Sequence, residues 1–161
     1  MMKKIFVSTI TAALLLVVLA SATLAAPAKE EKQLLLKGSW YAVETARGVP
    51  PNVLVTGSGS ANATQLGLYT VSYQLQVNVP PGFGSGFSQF VAANGDTLFA
   101  AVLGKSTPTE IPNVITIVEQ HTITGGTGRF EGASGNITVE RVLNRATGFS
   151  SGTMSGTIVL P

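Results

Sequence analysis

The sequence predicts an all-β protein: an eight-stranded antiparallel β-barrel that follows a signal peptide. Three observations carry this expectation. Apolar and polar residues alternate with period two in several stretches, which puts one face of each stretch in a core and the other in water. Turn signals built from Gly, Pro and Asn recur between those stretches. Beyond residue 25, no segment shows the apolar spacing of a helix.

Residues 1–25 stand outside the barrel. Met1-Met2-Lys3-Lys4 is a basic start, and residues 5–20 are an apolar run broken only by Ser8, Thr9 and Thr11. Ala20-Ser21-Ala22 and Thr23-Leu24-Ala25 then offer the small residues of a cleavage site. This is the order of a secretory signal peptide; the alternative is an uncleaved anchor helix, for which the apolar run is short. Export places the chain in a secreted or periplasmic setting, with no membrane insertion after cleavage. Residues 26–33 are then a polar tether, and residues 34–161 the barrel domain.

Strand one spans residues 34–46, with Trp40-Tyr41-Ala42-Val43 at its β-friendly centre. Residues 47–52 break it, because Pro50-Pro51 cannot sit in a central ladder. Strand two covers residues 53–63, and Gly57-Ser58-Gly59-Ser60 lets it bend. Strand three, residues 66–77, alternates most cleanly. Tyr69, Val71, Tyr73, Leu75 and Val77 share one face, and Thr70, Ser72, Gln74 and Gln76 the other. Residues 78–86 read as a Pro/Gly loop. Residues 87–93 and 97–103 form a hairpin about Asn94-Gly95-Asp96, a type I′ turn signal in which both central residues need positive φ. Residues 104–113, with Pro108 and Pro112, read as a loop. Strand six is residues 114–124, strand seven about 136–143, and strand eight 149–160 after a turn at 144–148. On strand eight Met154, Ile158 and Leu160 face with Gly152 and Gly156, opposite Ser151, Thr153, Ser155 and Thr157. A meander closing into a barrel accounts for this order; a two-sheet sandwich is the alternative.

The centre of this order is residues 117–141, a strand, a glycine-dense turn and a returning strand. Its middle, Gly125-Gly126-Thr127-Gly128-Arg129-Phe130-Glu131-Gly132-Ala133-Ser134-Gly135, follows two other motifs, Ala61-Asn62-Ala63-Thr64-Gln65-Leu66-Gly67 and Ala92-Ala93-Asn94-Gly95-Asp96-Thr97-Leu98-Phe99. Together they resemble a family of small secreted bacterial proteins that is similar to the allene oxide cyclase and dirigent barrel superfamily. The resemblance covers nearly the whole chain after the signal peptide and implies an eight-stranded barrel. It also implies a homotrimer as the form to look for, since trimers are common among the plant relatives. The motifs are turn chemistry and speak to fold rather than activity. The plant relatives' catalytic residues find no residue-by-residue match in this chain, and none is carried over.

Composition removes several function classes. Ten Lys and Arg face eight Asp and Glu, and Lys3 and Lys4 supply the whole excess, so the exported chain is near neutral. Its charges are scattered singly, which gives no electrostatic footprint for nucleic acid. There is no cysteine, so no disulfide holds the fold. A single histidine, His121, and a single aspartate, Asp96, make a dedicated metal site improbable, and no cofactor is implied.

Local patterns that suggest chemistry are mostly weak. The Gly125–Gly132 region lacks the Gly-Lys-Ser/Thr of a phosphate loop, and Gly132 falls one residue late for a dinucleotide fingerprint. Gly148-Phe149-Ser150-Ser151-Gly152 matches a nucleophile elbow in letters only, because the chain continues as a strand and His121 precedes the serine. Asn62-Ala63-Thr64 and Asn136-Ile137-Thr138 are glycosylation sequons by pattern.

One constellation remains. On strand six Ile115, Ile117, Glu119, His121 and Ile123 share a face, and on strand seven Ile137, Val139, Arg141 and Leu143 do. With the connecting turn centred near Phe130, Glu119 is expected directly opposite Arg141, each satisfying the other in an apolar interior. Glu119, His121 and Arg141, with Tyr69 and Tyr73 from strand three, are the candidate ligand-binding residues. The plainer readings are a structural ion pair at the barrel mouth or side chains at a trimer seam, with the tyrosines, Trp40 and Phe99 as core or interface aromatics.

The leading functional expectation is an exported barrel without catalysis that takes a small lipophilic ligand or serves as a scaffold or assembly module. The alternative is a cofactor-independent isomerase or cyclase-like barrel acting on a lipophilic substrate, and a third reading is a structural envelope or matrix protein. Interior volume separates them: a filled barrel has no room for either ligand reading.

Overall fold

The computed structural model describes residues 30–161; the expected signal peptide and the first part of the expected tether lie outside the described residues. Eight strands follow in order: β1 (Lys32–Val49), β2 (Asn52–Ala63), β3 (Gly67–Asn78), β4 (Phe83–Val91), β5 (Thr97–Pro108), β6 (Val114–Gly126), β7 (Ser134–Asn144) and β8 (Phe149–Leu160). Each pairs antiparallel with its neighbours, and β1 pairs with β8 from Lys32↔Leu160 to Val43↔Phe149. The sheet is therefore a closed barrel with no free edge, not a sandwich.

Alternation along the strands decides what the barrel encloses. Tyr69, Val71, Tyr73 and Leu75 of β3, Ile117, Glu119, His121 and Ile123 of β6, and Ile137, Val139, Arg141 and Leu143 of β7 all point inward and are buried, as their shared parity requires. The inward rows of β1 and β8 add Leu36, Trp40, Ala42, Met154 and Ile158.

The two ends of the barrel differ. At the end formed by the β2–β3, β4–β5 and β6–β7 connections, the interior is packed. Trp40, Tyr69, Phe90, Leu98 and Phe130 are at most 1% exposed, and Phe130 closes this end from a short 3-10 turn, Gly128–Phe130. Trp40 lies edge-on to Phe90 at 6.4 Å and Tyr69 lies 5.9 Å from Phe90, so this half is an aromatic core. The opposite end carries the β1–β2, β3–β4, β5–β6 and β7–β8 connections and is hollow.

Several local expectations change. β1 begins at Lys32, inside the expected tether, and runs on to Val49. Residues 83–86 and 104–108 are strand, not loop. Their glycines alternate with larger residues: a Cβ at Gly86 would overlap the carbonyl of Gln74 on the paired strand. Such glycines allow close backbone approach within a sheet and do not mark turns. The β4–β5 turn is not type I′. Only Gly95 has positive φ (89°), the Ala92 carbonyl accepts from the Gly95 N–H, and the Ala92 N–H donates to the Asp96 carbonyl. That is a three-residue connection ending in a left-handed glycine.

Candidate functional site

The charged side chains meet where the packed and hollow halves join. Arg141 donates from Nε to Glu119 Oε2 at 3.0 Å and from Nη2 to Glu119 Oε1 at 2.9 Å, a bidentate pair. The sequence predicts the two residues directly opposite each other, and the register corrects this. Glu119 pairs with Val139 and Arg141 with Ile117, so the contact is diagonal across β6 and β7. The short helical turn shifts the register by two residues, and two long side chains span the diagonal easily.

A further carboxylate joins them from β1. Arg141 Nη1 donates to Glu44 Oε2 at 2.8 Å, and Tyr73 donates its hydroxyl to the same oxygen at 2.6 Å. The guanidinium also lies 5.7 Å from the Trp40 ring and 5.5 Å from the Tyr73 ring, within cation–π range of both. Beneath Glu119, His121 Nδ1 lies 2.9 Å from Ser88 Oγ, and its Nε2 stands 3.6 Å from Glu119 Oε2. Among the described residues that nitrogen is buried with no hydrogen-bond partner.

Local glycines make this arrangement fit. A Cβ at Gly57 would overlap the Tyr73 ring, so only glycine on β2 lets the phenol pass over it to Glu44. A Cβ at Gly104 would stand 2.7 Å from Glu119 Cγ, so the β5 glycine makes room for that carboxylate.

The electrostatics follow from burial against pairing. Burial pushes the Glu119 carboxyl up, but His121 beside it and the Arg141 guanidinium outweigh that, and its pKa lies at about 2. Burial favours loss of the Arg141 proton, yet Glu119 and Glu44 more than reverse this and hold the charge firmly. Burial drives the Tyr73 phenol well above its ordinary range, and hydrogen bonding to Glu44 adds to the effect, so the phenol keeps its proton.

Above the cluster lies a cavity of about 390 Å³. Val53, Val55, Leu75, Val77, Ile115, Ile117 and Leu143 make its walls, while Glu44, Glu119 and Arg141 lie at its floor. Pro50, Pro80, Pro81 and Pro108 stand at its rim, where exposed Lys105 and Arg145 also face the opening. The interior is thus half filled, with apolar walls and a polar floor.

Of the residues expected from sequence, Glu119, His121, Arg141 and Tyr73 come together, His121 one layer below the cavity. Tyr69 does not join them. It lies in the packed half, burial raises its pKa far above the ordinary phenol, and its hydroxyl donates to the Ser39 carbonyl at 2.6 Å. Glu44 and Ser88 were missed. Both had a signal: Glu44 has the parity of Trp40 and Ala42, and Ser88 that of Phe90. Ser150 is a buried strand residue that accepts from Trp40 Nε1 at 3.3 Å, so its motif is no nucleophile elbow. Comparison of the chain with protein families, with curated proteins and with solved structures finds no match.

Proposed function

We propose that this is an exported barrel that binds a small, mostly apolar molecule in its hollow end, with the ligand's polar group on the Glu44–Arg141–Glu119 floor. One observation carries the reading: a cavity of about 390 Å³, walled by aliphatic side chains, ends on an ionic cluster in which Arg141 bridges Glu44 and Glu119. That combination of apolar enclosure with a few convergent polar groups is the usual form of a small-molecule site. The volume lies toward the lower end of such sites and suits a single short-chain or one-ring compound.

Binding is favoured over turnover by the state of the polar groups. A general base works best with a pKa near the operating pH, whereas Glu119 lies at about 2 and Tyr73 holds its proton far above neutrality. Both are set to stay in one protonation state. An isomerase or cyclase reading would need a group at the cavity wall that exchanges a proton at neutral pH, and His121, the remaining candidate, lies below Glu119 and is not among the residues lining the cavity. The secreted or periplasmic setting and the trimer implied by resemblance belong to the same proposal.

Calorimetric titration with decan-1-ol, a neutral probe with one polar end, tests the pocket. Saturable one-to-one binding is expected, and Ile117→Trp, which projects an indole into the cavity, should abolish it while leaving the β-sheet circular dichroism intact. Binding that survives Ile117→Trp would refute the reading, as would a native protein that binds neither this probe nor the amine and the carboxylate of the same chain length. Native mass spectrometry of the exported protein reads co-purified ligand and subunit number together.

A further inference from the structure

The floor of the cavity is not electrically even, and this specifies the ligand further. One cation, Arg141, faces two carboxylates, Glu44 and Glu119. Its fork is committed to Glu119 through two hydrogen bonds, leaving one for Glu44. Both contacts made by Glu44 fall on Oε2, from Arg141 and from Tyr73. Among the described residues, Glu44 Oε1 has no hydrogen-bond partner. His121 does not supply one: it sits beside Glu119 and reaches Ser88 on its other side. Of the three charged side chains, Glu44 is also the most accessible, at 8% against 3% for Glu119 and 1% for Arg141. A molecule reaching the floor therefore meets a carboxylate oxygen before it meets the guanidinium.

Resting on the pocket reading above, we infer that the ligand is an apolar amine, whose ammonium group donates to Glu44 Oε1. The chemistry is that of a carboxylate oxygen that opens on an apolar cavity and takes no donor from the protein, and a charged donor entering that cavity satisfies it best. A ligand carboxylate would add a third negative group to a floor that holds one cation. The basic residues Lys105 and Arg145 do not reverse this. They stand at the rim in water, where their charges are screened, whereas the floor is enclosed. A hydroxyl-ended ligand, with a donor but no charge, ranks between the two.

The experiment compares decylamine, decan-1-ol and decanoate, one chain length with three ends, against the full exported protein and Glu44→Gln by calorimetry at neutral pH. The amine should bind at least about tenfold tighter than decanoate, with the alcohol between them. Glu44→Gln should reduce that preference to within about twofold, since an amide still accepts a hydrogen bond but carries no charge. Decanoate binding as tightly as the amine, or an amine preference that Glu44→Gln leaves intact, overturns the inference. Loss of β-sheet signal in Glu44→Gln leaves the native ranking of the three probes to decide. The two readings fail separately: alcohol that binds while the acid wins sinks only the amine, and no binding by any of the three sinks the pocket itself.

Discussion

Replacing Arg141 with methionine should be the most damaging single change to the barrel interior, and replacing Glu119 with glutamine should partly rescue it. Arg141 holds two carboxylates, with 1% of its own side chain exposed. Arg141→Met removes three hydrogen bonds and leaves Glu44 and Glu119 buried together without a counter-charge. Breaking such a pair from one side costs about 3–5 kcal/mol. Glu119→Gln is milder, because the amide oxygen still accepts from Arg141 and the cation keeps Glu44; we expect about 1–3 kcal/mol. In the methionine background the same glutamine removes a stranded charge, so it should stabilise. The coupling from the double-mutant cycle should then exceed roughly 1.5 kcal/mol.

Urea unfolding gives the measurement, with midpoints and slopes compared across the four proteins. Trp40, the single tryptophan, lies in the core beside Arg141 and reports local packing, so far-UV circular dichroism should be followed in parallel. Losses that add to within about 0.5 kcal/mol would refute the argument, because independent sites behave that way. They would mean that the ion pair and the burial assigned to it do not exist in solution.

Other outcomes follow from the same structure. Glu119 has a folded pKa of about 2, below its ordinary value of 4.5, so its stabilisation is present above about pH 4.5 and is lost as pH falls through about 2. That shift corresponds to about 3 kcal/mol, and urea midpoints taken at descending pH should fall more steeply for the native protein than for Glu119→Gln. Gly57→Ala should drive the Tyr73 ring off Glu44 and lower stability by about 1–3 kcal/mol, read as a lower urea midpoint; an unchanged midpoint would mean the ring does not lie over Gly57. Gly95→Val should cost well over 1 kcal/mol through positive φ alone, since a Cβ there meets no other atom within 4 Å. Equal unfolding midpoints would count against that turn. N-terminal sequencing of the exported form should begin at about residues 23–27, whereas an intact Met1 on a membrane-bound protein would contradict cleavage.

What the sequence made legible was parity, and what it hid was proximity across the lumen. Period two placed Tyr73, Glu119, His121 and Arg141 on inward faces correctly, because one buried face per strand leaves a strong pattern. It misplaced the Glu119–Arg141 register by two, because a glycine-rich connection reveals neither its length in strand residues nor the helical turn within it. The same glycines hid the ends of β4 and β5, where alternation between Gly and larger residues looks like a loop. Glu44 was invisible as a partner for another reason. It lies 97 residues from Arg141, and only closure of β1 onto β8 brings them together. No local pattern says which of eight inward rows will meet across a closed barrel.

The position of the ionic cluster is itself an argument about its role. Buried ion pairs add little net stability over well-packed apolar residues of the same volume, so stability alone is a poor reason for four polar side chains to fill one layer. Toward the packed end, the layer above Phe130 is built from Trp40, Tyr69, Phe90 and Leu98 and needs no charge. Toward the mouth, small inward residues such as Gly84, Gly104 and Ala46 line an empty space that larger ones would fill. The charges stand at the one level where a side chain is both held by the core and open to that space. Arg141 is held by cation–π contacts with Trp40 and Tyr73 and by three hydrogen bonds, so the floor is preorganised before anything binds. A purely structural cluster would work equally well sealed beneath the aromatics. Its placement against the cavity is what the proposed ligand reading accounts for.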